Sequence, residues 1–274
     1  MPAVHVENFT YGLLNPVLGY LMSCLGAFIG LRCLTRARVY TGATRALWLS
    51  LAAIAIGATG IWAMHFIAML GFTIPGQTIT YNVPLTIISM LVAVAVVAVG
   101  LFIVGFTKAQ VISLPRLLTG GVIVGLGVAS MHYLGMEAIN MPDMMSYSAL
   151  VVALSVLIAI AAGTAALYAG LKVRGIGATL GASALMGVAV SGMHYTGMAA
   201  MTVDASSSAG VYAAGAPGSG ATATSFLLPL VLGIAVFTFL VTIVIMLAPS
   251  EEDIVADAQL ARRLAERPIS HHRR

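Results

Sequence analysis

Seven runs of apolar residues limit what this chain can become: about 16 to 34, 47 to 71, 83 to 106, 117 to 139, 148 to 171, 176 to 200 and 226 to 248. Each is long enough to cross a hydrocarbon layer of about 30 Å as a helix, which takes roughly 20 residues. In lipid every backbone N–H and C=O must be satisfied inside a helix or a closed sheet. The runs are continuously apolar and lack the alternation of barrel strands, which excludes the barrel. Composition agrees: 60% of residues are hydrophobic, 8% are charged, and the mean hydropathy is +1.02, where a soluble domain carries roughly 25% charge. The expected fold is an all-α integral membrane protein of seven transmembrane helices in the cell membrane, with the lipid bilayer as its first partner.

The basic residues set the expected orientation. Arg32, Arg36, Arg38 and Arg45 fall between runs one and two, Lys108 and Arg116 between three and four, and Lys172 and Arg174 between five and six. Arg262, Arg263, Arg267, Arg273 and Arg274 follow run seven, which accounts for all 13 Lys and Arg on one face. The positive-inside rule then puts the N-terminus outside and the C-terminus in the cytoplasm. The net charge of +4 is thereby explained by topology. It gives no support to a nucleic-acid partner, which calls for a basic patch on a soluble surface.

Within this frame one fragment recurs. Met-His-aromatic-x-x-Met occurs as MHFIAM (Met64 to Met69), MHYLGM (Met131 to Met136) and MHYTGM (Met193 to Met198), each near the end of an apolar run. One helical hairpin separates each copy from the next, so the array reads as three tandem hairpins plus a seventh helix. A two-helix repeat restores orientation, so the motifs of helices two, four and six lie at one depth, in the outer half of the bilayer. Each His stands four residues before the second Met and shares a helical face with it. Small residues such as Gly57, Gly60, Gly125, Gly135, Gly192 and Gly197 surround the motifs, and in membranes they let helices approach closely.

Imidazole suits copper, zinc and iron, and the soft thioether favours Cu(I). The candidate ligands are Met64, His65, Met69, Met131, His132, Met136, Met193, His194 and Met198, with copper as the first expectation. Haem is the rival, since His and Met are its axial ligands, and zinc is the third choice. Tyr133 and Tyr195 are candidates for the outer shell of a ligand site, with anchoring at the membrane interface as the competing reading. Glu137 reads as an interfacial carboxylate that could also serve as a hard ligand or proton acceptor. Met141, Met144, Met145 and Met201 add soft donors on the motif side. No nucleophile with its base is visible, so catalysis is not expected.

These three motifs, at helix ends in a domain of three hairpins, resemble the bacterial MHYT-domain family, whose name is spelled at Met193 to Thr196. The likeness covers roughly Tyr11 to Met201. It implies a membrane sensor domain holding copper through the nine motif residues above and detecting dioxygen, carbon monoxide or nitric oxide. Phe66 and Ile67 in the first copy and Leu134 in the second depart from the pattern. The expected organisation is an extracytoplasmic start (1–15), the membrane domain (16–201), a flexible outer loop (202–225), the seventh helix (226–248) and a short charged cytoplasmic tail (249–274). Family members often carry signalling domains after the membrane part. The tail has no room for one, so a stand-alone member acting through a separate signalling partner is expected. A copper carrier or permease, or a haem protein, is the alternative.

Overall fold

The computed structural model describes residues 6–75, 79–105, 113–140, 144–204, 220–247, 256 and 259–260. Seven helices are long and apolar enough to cross a membrane: Leu14–Val39, Gly42–Met69, Val83–Gly105, Leu114–Glu137, Ala149–Lys172, Ile176–Ala199 and Ala223–Ile245. All seven expected spans are present, and the chain is a multi-pass membrane protein. Lys108, Met141 and nearly all of the tail after Leu247 lie outside the described residues.

Three hairpins close into a ring in which the sixth helix packs back on the first. The second, fourth and sixth helices carry the motifs. The second is the most buried, because the seventh helix packs on it and on the first. Both Thr59 and Thr238 are buried there, and their hydroxyls meet at 2.7 Å. The single hydroxyl proton of Thr238 goes to the Ile234 carbonyl at 2.7 Å, so Thr59 is the donor between the helices.

Hydropathy did not show that the second helix changes its winding. Residues Ala55–Ala63 form a π-helix, every one buried, directly before Met64–Met69. Such segments are rare and concentrate at functional sites. A close crossing accompanies it, since a methyl group on Gly26 of the first helix would overlap the Gly60 backbone nitrogen.

The motif side is closed by short antiparallel pairings that follow the repeat. The segment before each hairpin pairs with the segment after it. Glu7 bridges Thr73, β1 (Thr80–Tyr81) pairs with β2 (Ile139–Asn140), and β3 (Met144–Tyr147) pairs with β4 (Met201–Asp204). A fifth strand, β5 (Ala221–Thr222), adds to the free edge of β1 just before the seventh helix. The two ends of the loop expected to be flexible over 202–225 are therefore strands, held by ladder hydrogen bonds; residues 205–219 lie outside the described set. Tyr81 and Tyr147 sit in these strands. Burial pushes both phenols up, Tyr147 to about 12 with help from the Glu137 carboxylate and Tyr133.

On the opposite side the arginines do more than report topology. Arg45 donates to the Gly105 carbonyl at the end of the third helix, and Arg38 donates to Gly170 and Val173 at the end of the fifth. Arg36, buried and 5.3 Å from the Trp48 ring, donates to Ile245 near the end of the seventh. Each places a cation on carbonyls that a helix terminus leaves without an internal partner.

If the Thr59–Thr238 bond docks the seventh helix, a double-mutant cycle with Thr59→Val and Thr238→Val is expected to give a coupling of about 0.5–1.5 kcal/mol. Unfolding in detergent measures it, and additive losses would show that the bond contributes nothing.

Candidate metal centre

The three motif histidines, remote in sequence, meet at one point. The Nδ1 atom of His65 lies 3.0 Å from Nδ1 of His194 and 3.1 Å from Nδ1 of His132. Ring centroids are 4.9, 5.0 and 5.1 Å apart, and each pair of rings is near perpendicular. All three are buried, at 0–1% exposure. They form a group able to hold a metal ion, with ligand atoms within 4.8 Å of one another.

Glycine makes the convergence possible. A methyl on Gly135, in the second motif, would lie 2.5 Å from Nε2 of His65, and one on Gly197, in the third, would overlap Nε2 of His132. Each of these rings thus lies over the glycine of the next motif, one residue before its second Met. In the first motif that position is Ala68.

The hydrogen bonding of the cluster cannot be completed from within. Each neutral imidazole has one N–H and one bare nitrogen. If His65 carries its proton on Nδ1 and donates to both neighbours, His132 must carry its own on Nε2. If His65 accepts instead, its own Nε2 is protonated. The Nε2 atoms of His65 and His132 are both buried without a partner among the described residues, so every neutral arrangement strands at least one N–H. Each stranded group costs about 1–3 kcal/mol.

A metal ion fits this donor set. Three imidazole nitrogens bound at about 2.0 Å stand about 3.3–3.5 Å apart in tetrahedral or trigonal geometry. The observed 3.0 and 3.1 Å separations need an expansion of only a few tenths of an ångström. Bound through Nδ1, all three rings would carry N–H on Nε2, adding one stranded group. Metal binding to structural sites amounts to roughly 10–16 kcal/mol, far above that cost.

The six motif methionines are all buried, at 0–4% exposure. Met64 lies against the first helix, where a methyl on Gly19 would touch its Cγ at 3.4 Å and Sδ at 3.8 Å. Met193 lines a cavity inside the bundle. Of the further methionines, Met201 is buried and Met145 is half-buried, its sulfur 3.6 Å from the Tyr147 hydroxyl. Glu137 is exposed, which agrees with an interfacial carboxylate.

Each aromatic next to a histidine meets that ring edge-on, at 4.7 to 4.9 Å. The Tyr133 hydroxyl is taken by Ser155 at 2.7 Å. The Tyr195 hydroxyl is buried without a partner among the described residues, while its ring stacks on Phe9 at 5.5 Å. In the first copy, where Phe66 has no hydroxyl, Trp62 Nε1 donates to Ser89 at 3.0 Å instead. Ser23, Ser89 and Ser155 recur at one fixed interval, as do Ala27, Ala93 and Ala159, and all six are buried. That periodicity in the first helix of each hairpin was readable from the sequence.

The fold and site together define a polytopic helical membrane protein with a buried three-histidine centre made by tandem repetition. The chain belongs to the MHYT family: it matches the bacterial signalling protein N terminal repeat over residues 59–119 and 125–182. It is 36% identical over 196 residues to the bifunctional diguanylate cyclase/cyclic di-GMP phosphodiesterase MucR of Pseudomonas aeruginosa, an alignment covering 70% of this chain and 28% of that protein. It is 36% identical over 204 residues to the cyclic di-GMP phosphodiesterase NbdA of the same organism, covering 72% and 25%. With the signaling protein YkoW of Bacillus subtilis it shares 33% over 207 residues, covering 73% and 25%. The chain thus spans about a quarter of the length of the curated relatives it matches. No solved structure matches.

Gly197→Ala is expected to lower stability by about 1–3 kcal/mol through overpacking against His132. Gly192→Ala, where a methyl meets nothing within 4 Å, should change it by less than about 0.5 kcal/mol. Thermal unfolding of the two variants in detergent makes the comparison.

Proposed function

We propose that this protein is a membrane sensor whose input site is a copper ion held by His65, His132 and His194, with the motif methionines as soft donors around it. The observation that carries this reading is the convergence of three buried imidazoles, with Nδ1 of His65 3.0 Å from that of His194 and 3.1 Å from that of His132 and all ligand atoms within 4.8 Å of one another. The three imidazoles and the thioethers are neutral, and Glu137 stands at the surface rather than in the chamber. A neutral donor set in apolar surroundings favours an ion of low charge, because the cost of burying charge rises steeply with its magnitude. Together with soft thioether donors this selects Cu(I) over Zn(II).

Bound copper would supply an open coordination position for dioxygen, carbon monoxide or nitric oxide, or a one-electron change of redox state. The chain's own residues do the rest. Gly135 and Gly197 hold the rings in register, the three neighbouring aromatics fix the ring planes, and the buried apolar shell excludes water. His65 is the shared partner in both Nδ1 contacts and sits directly after the π-helical segment on which the seventh helix docks through Thr59 and Thr238. Displacement of His65 would therefore reach the seventh helix and, through it, a separate signalling partner. Two of the relatives named above, MucR and NbdA, carry cyclic di-GMP activities in their own names, which makes a cyclic-dinucleotide signalling protein the first partner to test.

Two other readings are weaker. A copper carrier needs donors at successive depths, whereas the three histidines occupy one. Haem needs room for a macrocycle between two axial ligands, and ring centroids only 4.9–5.1 Å apart in all three pairs leave no such gap.

Protein purified in detergent and loaded anaerobically with Cu(I) is expected to bind about one ion per chain in a chelator competition. His132→Ala should weaken it at least 100-fold, and Met69→Leu or Met198→Leu by roughly 10-fold. Equal affinity of wild type and His132→Ala would refute the centre. An intense Soret band in the protein as isolated would replace copper with haem, and His-dependent copper uptake into vesicles would replace the sensor with a carrier.

A further inference from the structure

Inside the ring of six helices is a cavity of about 50 Å³. Met193, next to His194, borders it at the top, and beneath come Ile61, Val128 and Val190, each four residues before a motif histidine on its own helix. The body of the cavity therefore lies about one turn beneath the imidazoles, among all six ring helices, and runs down to Leu101 and Leu167. Among the residues lining it, Ser23 offers the only hydroxyl.

Water is a poor occupant. A single water needs only about 10–15 Å³ but two to four polar partners, and an apolar cavity without them stays dry. An empty void is also poor, because its lining forfeits dispersion contacts that close-packed interiors otherwise make. The repeat produces the void: Ala27, Ala159, Gly60 and Gly163 stand where larger apolar side chains would fill it. What fits is uncharged, apolar and only a few heavy atoms long, and such solutes concentrate in the membrane interior that surrounds the bundle.

We infer that this cavity is a binding site for one small apolar molecule of the class of dioxygen, held one helical turn from the histidine centre. The assignment is independent of any metal. The cavity is built from the six ring helices; of the motif residues only Met193 lines it, and none of the histidines does. A solute seated there rests on the same three helices whose ends bring the imidazoles together, so its presence bears on their spacing.

Xenon, similar in size and apolar, is the probe. Methyl-labelled, metal-free protein in nanodiscs is titrated with xenon gas under pressure. Saturable methyl shifts are expected at Ile61, Val128, Val190, Leu101 and Leu167, at least threefold larger than at Ile29 and Ile74, which are buried away from the cavity. Val128→Phe should reduce the shifts at Ile61 and Val190 at least fivefold. Leu167→Ala should enlarge the cavity and lower the xenon pressure at half-saturation. The assignment fails if shifts in the wild type rise linearly with pressure, or are as large at lipid-facing methyls such as Leu150 and Leu232, or if a bound acyl chain found by native mass spectrometry is not displaced by xenon. It also fails if a folded Val128→Phe protein keeps the wild-type response. Because the protein is metal-free throughout, a negative result here leaves the copper reading standing, and loss of copper binding leaves the cavity standing.

Discussion

Three neutral imidazoles meeting in an apolar chamber are the constraint on which the rest of the structure turns. Imidazole is large and polar, and a membrane bundle has no water to satisfy it. Bringing three rings to one axis requires three helices to come close, which only small residues at the crossings permit. That need explains why Gly135 and Gly197 face His65 and His132. It also explains why the first helix of each hairpin repeats Ser23, Ser89 and Ser155 with Ala27, Ala93 and Ala159 on its buried side. The ladders joining the start of each hairpin to its end then hold the motif-bearing termini where the rings must meet.

Much of this was legible before any coordinates. The hydropathy of the runs implied all seven helices, because lipid permits no other structure for them. The Met-His-aromatic-x-x-Met repeat implied that three histidines share a depth. What the motif could not say is which atoms converge, because a hairpin repeat sets depth and facing but not the rotation of each helix about its own axis. The π-helix at Ala55–Ala63 was hidden for the same reason: it alters rotation without altering hydropathy. The two-residue strands were invisible because pairs such as Thr80–Tyr81 and Ile139–Asn140 are too short for a periodic signal. The arginines were read as a topological charge count, and their capping of helix carbonyls depends on where those helices end in space.

The methionines divide less simply than their repetition suggests. All six are buried, yet Met64 lies against Gly19 and Met193 borders the cavity. A thioether is uncharged, flexible and polarizable, so it can fill an apolar gap and still swing toward a soft ion at small cost. The same side chains therefore pack the chamber and are suited to act as the soft donors of the proposed copper site. A carboxylate or thiolate in their place would carry a charge that the apolar chamber could tolerate only with the ion bound.

The centre is nearly symmetric and its surroundings are not. The first copy alone has a π-helical approach, Phe66 and Ala68 in place of Tyr and Gly, Trp62 supplying the hydrogen bond that a phenol makes in the second copy, and the seventh helix docked beside it. Its His65 is also the ring that contacts both others through Nδ1. Three equivalent helices would share any displacement of the rings equally, and nothing outside could read its direction. With one copy wound differently and covered by an extra helix, the ring is unequal, since a π segment closes its hydrogen bonds over five residues where an α-helix closes them over four. Under the proposed sensor reading the second helix is the element to supply the two discrete arrangements that coupling a buried site to a distant one requires. The buried bond between Thr59 and Thr238, within that same segment, ties the choice to the seventh helix.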